Sequence, residues 1–159
     1  MRRLSLLLVA QLRDAARDVR GGRRLPRGHR GYGGEDTDFG KLLDSAGVPI
    51  AWIKGGLAHH QYHPHHMPPV HHLDSVVRNA ELFEARWGYR TMGHWLYAFR
   101  LMGLIDDREG VPIRILRRPD ADDLALTGQQ SHQPYANTAT VIRMLEARMA
   151  SDKDGRVAA

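Results

Sequence analysis

PVHHLDSVVRNAELFEARWG, residues 69–88, carries the strongest periodic signal in the chain. Val70, Leu73, Val76, Val77, Ala80, Leu82, Phe83 and Trp87 recur mostly at steps of three and four. That spacing gathers them on one face of an α-helix. Arg78, Asn79, Glu81 and Glu84 fall between them and are expected to face water. Pro69 suits the opening of this helix and Gly88 its end. A second helix is predicted to follow at once, capped by Thr91 and closed by Gly103, with Met92, Trp95, Leu96, Phe99 and Met102 on one face. A turn this short makes an antiparallel helix pair the expected heart of the fold.

Towards the C-terminus, VPIRILR (residues 111–117) alternates well enough for a strand. Residues 118–137 are polar and mixed. A last helix is predicted over 138–149 on Val141, Ile142, Leu145 and Met149, with a disordered charged tail beyond it. Towards the N-terminus lies a histidine-rich segment whose Pro64, Pro68 and Pro69 forbid a regular ladder, so it reads as loop. Before it come a β-prone run over 48–53 and a short helix, DFGKLLDSAG (residues 38–47), with Gly47 placed to end it. Residues 4–19 carry leucines at helical spacing, and RGGRRLPRGHRG (residues 20–31) breaks any regular structure. The expected class is helix-rich α+β, in three parts: a basic, poorly structured segment over 1–30, a body over 31–117, and a polar segment over 118–159.

The 159 residues are room for one ordinary domain, and an apolar content of 42% with 26% charged is normal for a globular protein. There is no cysteine, which excludes a disulfide framework and thiolate chemistry. No apolar run reaches the ~20 residues that a spanning helix needs. LSLLLVA (residues 4–10) is short for a signal core, and Gln11, Arg13 and Asp14 follow where a cleavage site belongs. The net charge of +5 is unevenly spread. Residues 1–30 hold nine arginines and two aspartates, a local +7, so the remaining 129 residues are slightly acidic at −2. A basic arm can bind nucleic acid or an anionic membrane surface. This one has no interleaved aromatic residue and no basic stripe running into the domain, which argues against nucleic acid.

Two clusters carry potential chemistry. GYGGEDTD (residues 31–38) puts three acids within four positions behind two glycines. Glycine lets the backbone turn sharply and approach a ligand closely. Neighbouring carboxylates suit a metal or the removal of a proton. They equally suit a plain helix start, where the dipole favours acids. The second cluster is seven histidines within residues 59–72. Neutral imidazole is a common ligand for divalent metals, but no HExxH-type spacing fixes a site, and such tracts also bind metal weakly without a role. His71 and His72 fall at the start of the long helix, where surface or capping roles fit better. Trp87, Trp95 and Phe99 could form a sugar-stacking platform, though at their spacing the core of a helix pair is the stronger reading.

Taken together, the clusters support a resemblance. GYGGEDTDF (residues 31–39) resembles the Gly-Gly-Glu-Asp element of GT-A-fold glycosyltransferases, in particular the galactosyltransferase-like C-terminal region of family 2 transferases. HQYHP (residues 60–64) and the stretch through the Arg-Trp-Gly helix end are similar to the same region, over roughly residues 31–105. The resemblance implies transfer of a sugar from a nucleotide-sugar donor to a carbohydrate or other hydroxyl acceptor. It implies Asp36 as general base, Glu35 as a partner of the acceptor hydroxyl, and Gly33 and Gly34 at the substrate. It implies His60, with His63 second, as ligands of a Mn²⁺ or Mg²⁺ ion on the diphosphate. It implies inversion, because a single carboxylate base suits direct displacement. The expected location is cytoplasmic, with the inner membrane face as a variant.

A GT-A enzyme also has a Rossmann-like nucleotide-binding half, which needs on the order of 100 further residues. The chain is therefore expected to be a C-terminal fragment of that fold, with residues 1–30 a segment of foreign character. Asp36-Thr37-Asp38 spells Asp-x-Asp but belongs to the acceptor element, and Asp120-Ala121-Asp122 has no assigned place. The alternative function is a non-catalytic metal-binding or structural protein that uses its histidine loop.

Overall fold

A computed structural model describes residues 28–48, 61, 63–129 and 136–157, with side chains as far as Ser151. The expected helix over 4–19, nearly all of the strand over 48–53, Trp52 and His60 lie outside the described residues. The described part is helix-rich α+β: five α-helices and two small antiparallel sheets.

Helix α1 (Glu35–Ser45) starts at Gly34, whose φ of 87° only glycine adopts without strain. Glu35, Asp36 and Asp38 all fall in its first turn, where the helix dipole favours negative charge. That preference starts the helix three residues earlier than DFGKLLDSAG suggests. It ends as expected. Val48 N donates to the Leu43 carbonyl at 2.9 Å and Gly47 N to that of Asp44 at 3.0 Å, a Schellman closure around left-handed Gly47.

The histidine segment is not all loop. Its β1 (His65–His66) pairs antiparallel with β4 (Gly128–Gln129), His65 opposite Gln129. The prolines on either side hold the pairing to two residues. A 3₁₀ turn (Val70–His72) leads into α2 (Leu73–Trp87), which Gly88 closes at φ 80°. Helix α3 (Gly93–Leu101) follows, but Thr91 does not cap it. Met92 holds that place at φ 58°, and no side chain caps the turn. Its buried thioether packs against the Gly31–Gly34 turn, and this tertiary contact overrides the cap that local sequence favours. Leu104 N to Phe99 O and Gly103 N to Arg100 O, both 2.9 Å, end α3 in a second Schellman closure.

The predicted strand over 111–117 is reduced to β3 (Arg114–Ile115), paired with β2 (Ile105–Asp106). Within the polar stretch lies an unexpected helix, α4 (Ala121–Thr127). Asp120 accepts from the Asp122 and Asp123 amides while Asp123 accepts from the Asp120 amide, a complete capping box. Helix α5 (Thr138–Val157) runs well past residue 149, through the tail expected to be disordered.

One apolar core joins these elements. Val70, Leu73, Val76, Val77 and Ala80 meet Leu96, Phe99 and Met102 of α3, then Leu104, Ile105, Ile113, and Val141 and Leu145 of α5. The two central helices thus share a core, but the most extensive helix–helix packing among the described residues is α3 on α5. No described helix is long and apolar enough to cross a membrane.

The polar face of α2 corrects the sequence reading. Asn79 is fully buried, Glu81 accepts from the Ile113 amide at 2.8 Å, and Glu84 accepts from Arg90 Nε at 2.7 Å. Arg86 pairs with Asp38 rather than with Glu81 or Glu84. Each of these side chains serves a contact with another segment, which helical periodicity alone does not register.

Candidate functional site

The double-glycine turn is built by Asn79. Its amide nitrogen donates to the carbonyl of Gly33 at 2.8 Å and lies 3.3 Å from that of Tyr32 and 3.4 Å from that of Arg30. Its oxygen accepts from the Arg30 amide at 3.4 Å. The Tyr32 amide donates to Ser75 Oγ at 3.2 Å, a second tie to α2. Gly33 is left-handed at φ 99°, and a β-carbon there would stand 2.7 Å from Met92 Sδ and 3.2 Å from Trp95 Cζ3. Close approach and positive φ together require glycine.

This turn forms one side of a cleft of about 300 Å³. Gly33, Gly34, Glu35 and Asp36 line it together with Tyr32, Met92, His94 and Trp95. Four residues singled out in the sequence therefore share one cavity. Glu35 and Asp36 are exposed, and Asp36 Oδ1 accepts from the Thr37 amide at 2.7 Å and from Thr37 Oγ1 at 3.3 Å. The lining also carries an aromatic pair. The rings of Tyr32 and Trp95 stack at 5.7 Å, 25° apart, and His94 lies 5.3 Å from Trp95. Burial pushes the His94 imidazole below its usual range, so it is neutral near pH 7. Trp95 Nε1 is buried and has no hydrogen-bond partner among the described residues.

The third acid of the cluster goes elsewhere. Asp38 is wholly buried, held by the Arg86 guanidinium and by Trp87 Nε1 at 2.7 Å, with His29 Nδ1 3.6 Å away. An Asp-x-Asp metal pair from Asp36 and Asp38 is excluded, because only one of the two carboxylates reaches the cleft.

Comparison with protein-family models, with curated proteins and with solved structures finds no match. The site has to be read from its own geometry.

His63 is exposed; its Nδ1 lies 3.1 Å from the Pro64 carbonyl, and it is not among the residues that line the cleft. His60, the other ligand that the resemblance implies, lies outside the described residues. Among the described residues no three His, Cys, Asp or Glu side chains gather into a metal-binding set. The described donors alone do not fit a Mn²⁺ or Mg²⁺ centre.

Two site residues escaped the sequence reading, and a third was weighed there with the other emphasis. Trp95, weighed mainly as core, both packs against the core and walls the cleft. His94 carried no motif. Asn79 did leave a trace: it stands three residues after Val76 and four before Phe83, inside the apolar stripe. A polar residue at a core position needs partners, and its partners here are the carbonyls of the turn.

Proposed function

We propose that the cleft is the acceptor side of a glycosyltransferase, which transfers a sugar from a nucleotide-sugar donor to a hydroxyl acceptor. The observation that carries this reading is the pairing of exposed Glu35 and Asp36 with the Tyr32–Trp95 aromatic wall in one cavity. Sugars present apolar C–H faces and polar edges, and a stacked aromatic wall with carboxylates beside it satisfies both.

In the proposed reaction, Asp36 takes the proton from the acceptor hydroxyl as its oxygen attacks the anomeric carbon of the donor. The new carbon–oxygen bond forms as the bond to the diphosphate breaks, and the diphosphate leaves with the electron pair. Attack opposite the leaving group inverts that carbon. Glu35 orients the hydroxyl. The resemblance places donor binding on a Rossmann-like half that the described elements do not include, so the GT-A architecture is part of the proposal. A divalent ion, if present, would neutralise the diphosphate.

Acceptor binding does not depend on a donor half, so it gives the direct test. Saturation-transfer NMR with a panel of free hexoses should show transfer that Trp95→Ala and Asp36→Asn each weaken. A panel in which no hexose receives saturation, or in which both variants behave as the parent, overturns the reading.

A further inference from the structure

Beside the cleft lies a second cavity, of about 290 Å³, with a different character. Arg30, Arg78, His71, His72, Asp74 and Ser75 line it. Asp74 is the only acid among these, and it is already paired with Arg118. Arg30 and Arg78 thus give the cavity lining two arginines against one carboxylate that is already engaged. The backbone of Arg30 is held by both neighbours. Arg78 donates to the Arg30 carbonyl, and Asn79 brackets the Arg30 amide and carbonyl at 3.4 Å each. The Ser75 hydroxyl ties the two sides together, donating to the His72 carbonyl at 2.9 Å and accepting from the Tyr32 amide at 3.2 Å.

The two cavities share a wall. Tyr32 lines the cleft, His72 lines the basic cavity, and their rings stack at 4.8 Å with only 16° between planes. A ligand reaching round this stack would place an uncharged, hydroxyl-bearing ring among Trp95, Glu35 and Asp36. It would place an anionic group between Arg30 and Arg78. A guanidinium matches phosphoryl oxygens, and two arginines lining one cavity favour an anion there.

We propose that this cavity is an oxyanion site for a phosphoryl group carried by the acceptor. The inference rests on the glycosyltransferase reading of the cleft and adds the acceptor's class: a phosphorylated sugar or a glycosyl phosphate.

Calorimetry at fixed ionic strength tests it, with three sets of probes: free hexoses, the same hexoses as phosphate monoesters, and inorganic phosphate. The monoesters should bind about tenfold or more tightly than the free hexoses, the gain expected of a charge-assisted contact. Arg30→Gln, an exposed change that keeps the backbone bonds to Asn79, should abolish that gain and leave free-hexose affinity unchanged. Arg78→Gln should do the same, with far-UV circular dichroism and thermal melting confirming that both variants fold. Equal binding of esters and free hexoses would overturn the phosphoryl site while leaving the sugar cleft standing. A gain that survives both substitutions would also overturn it. Binding of inorganic phosphate with no added affinity from any hexose would instead sink the glycosyltransferase reading, and the acceptor's class with it.

Discussion

Trp87 donates its indole N–H to the buried Asp38 carboxylate at 2.7 Å, tying the last residue of α2 to the first turn of α1. Arg86 reaches the same carboxylate from the neighbouring position. Together they orient α1 so that Glu35 and Asp36, on its first turn, stand at the cleft. The two ends of this ion pair differ in exposure: the Asp38 side chain is 0% exposed and that of Arg86 27%.

That asymmetry predicts unequal losses. Arg86→Met leaves a buried carboxylate without its countercharge, which costs on the order of 3–5 kcal/mol. Asp38→Asn leaves an arginine that can turn to water, and it keeps an acceptor for Trp87, so its cost should be nearer 1–3 kcal/mol. Urea denaturation of the two variants should rank them in that order. The opposite ranking would show that the arginine, not the aspartate, is the trapped charge.

The Asn79 staple predicts that the turn is intolerant in two separable ways. Gly33→Ala forces a left-handed φ and a contact with Met92, at a cost of about 2 kcal/mol, which lowers Tm by roughly 4–8 °C at this chain size. Asn79→Asp keeps the shape but turns a donor into an acceptor facing the carbonyls of Arg30, Tyr32 and Gly33. It should destabilise more than Asn79→Ala, since a buried charge then opposes three carbonyl dipoles. Thermal melts of the three variants check both orders.

Asp36 and Asp38 should separate function from folding. Asp36 is exposed on the first turn, so Asp36→Asn loses only a favourable dipole contact, worth about 0.3–1 kcal/mol. Hexose binding should nonetheless weaken by about tenfold, as expected on removing a charged hydrogen-bond acceptor. Asp38→Asn should show the reverse pattern, with a marked loss of stability and little change in affinity per folded molecule. Measured side by side, calorimetry and melting curves would expose any coupling of the two roles.

The sequence made the helices legible where glycine and the apolar stripe agree. Gly47, Gly88 and Gly103 all sit at helix ends in the left-handed conformation. Val70, Leu73, Val76, Val77, Ala80 and Phe83 are all buried. What stayed hidden depends on partners distant in the chain. Asn79 and Arg86 look like solvent-facing residues until segment 28–38 is laid across α2, more than forty residues away in sequence. Helix α4 was hidden by its short length and by acids that read as loop until Asp120 and Asp123 are seen to cap one another. For the candidate site, the Gly-Gly-Glu-Asp turn was legible as a place of close backbone approach. Its aromatic side was legible only as the weaker of two readings, because Trp95 satisfies the helix stripe and the cleft with one side chain.

The cluster of His66, His71 and His72 predicts a response to acid. The rings of His66 and His71 lie 4.8 Å apart and those of His71 and His72 4.0 Å. Although His71 is exposed as a residue, burial of its ring, helped by repulsion from His72, His66 and His65, pushes its pKa from the usual 6.5 to about 4. Arg30, Arg78 and the Asp74 carboxylate line the same cavity as His71. Above pH 6.5 the imidazole is neutral in both folded and unfolded chains, and the shift leaves stability unchanged. Between 6.5 and about 4 the unfolded chain takes up a proton that the folded one refuses, so stability falls with pH across that window and levels off below it. His71→Gln removes the titrating group, so the drop in Tm from pH 7 to pH 4.5 should be smaller in the variant than in the parent. An identical drop in both proteins would place the acid sensitivity outside the cluster.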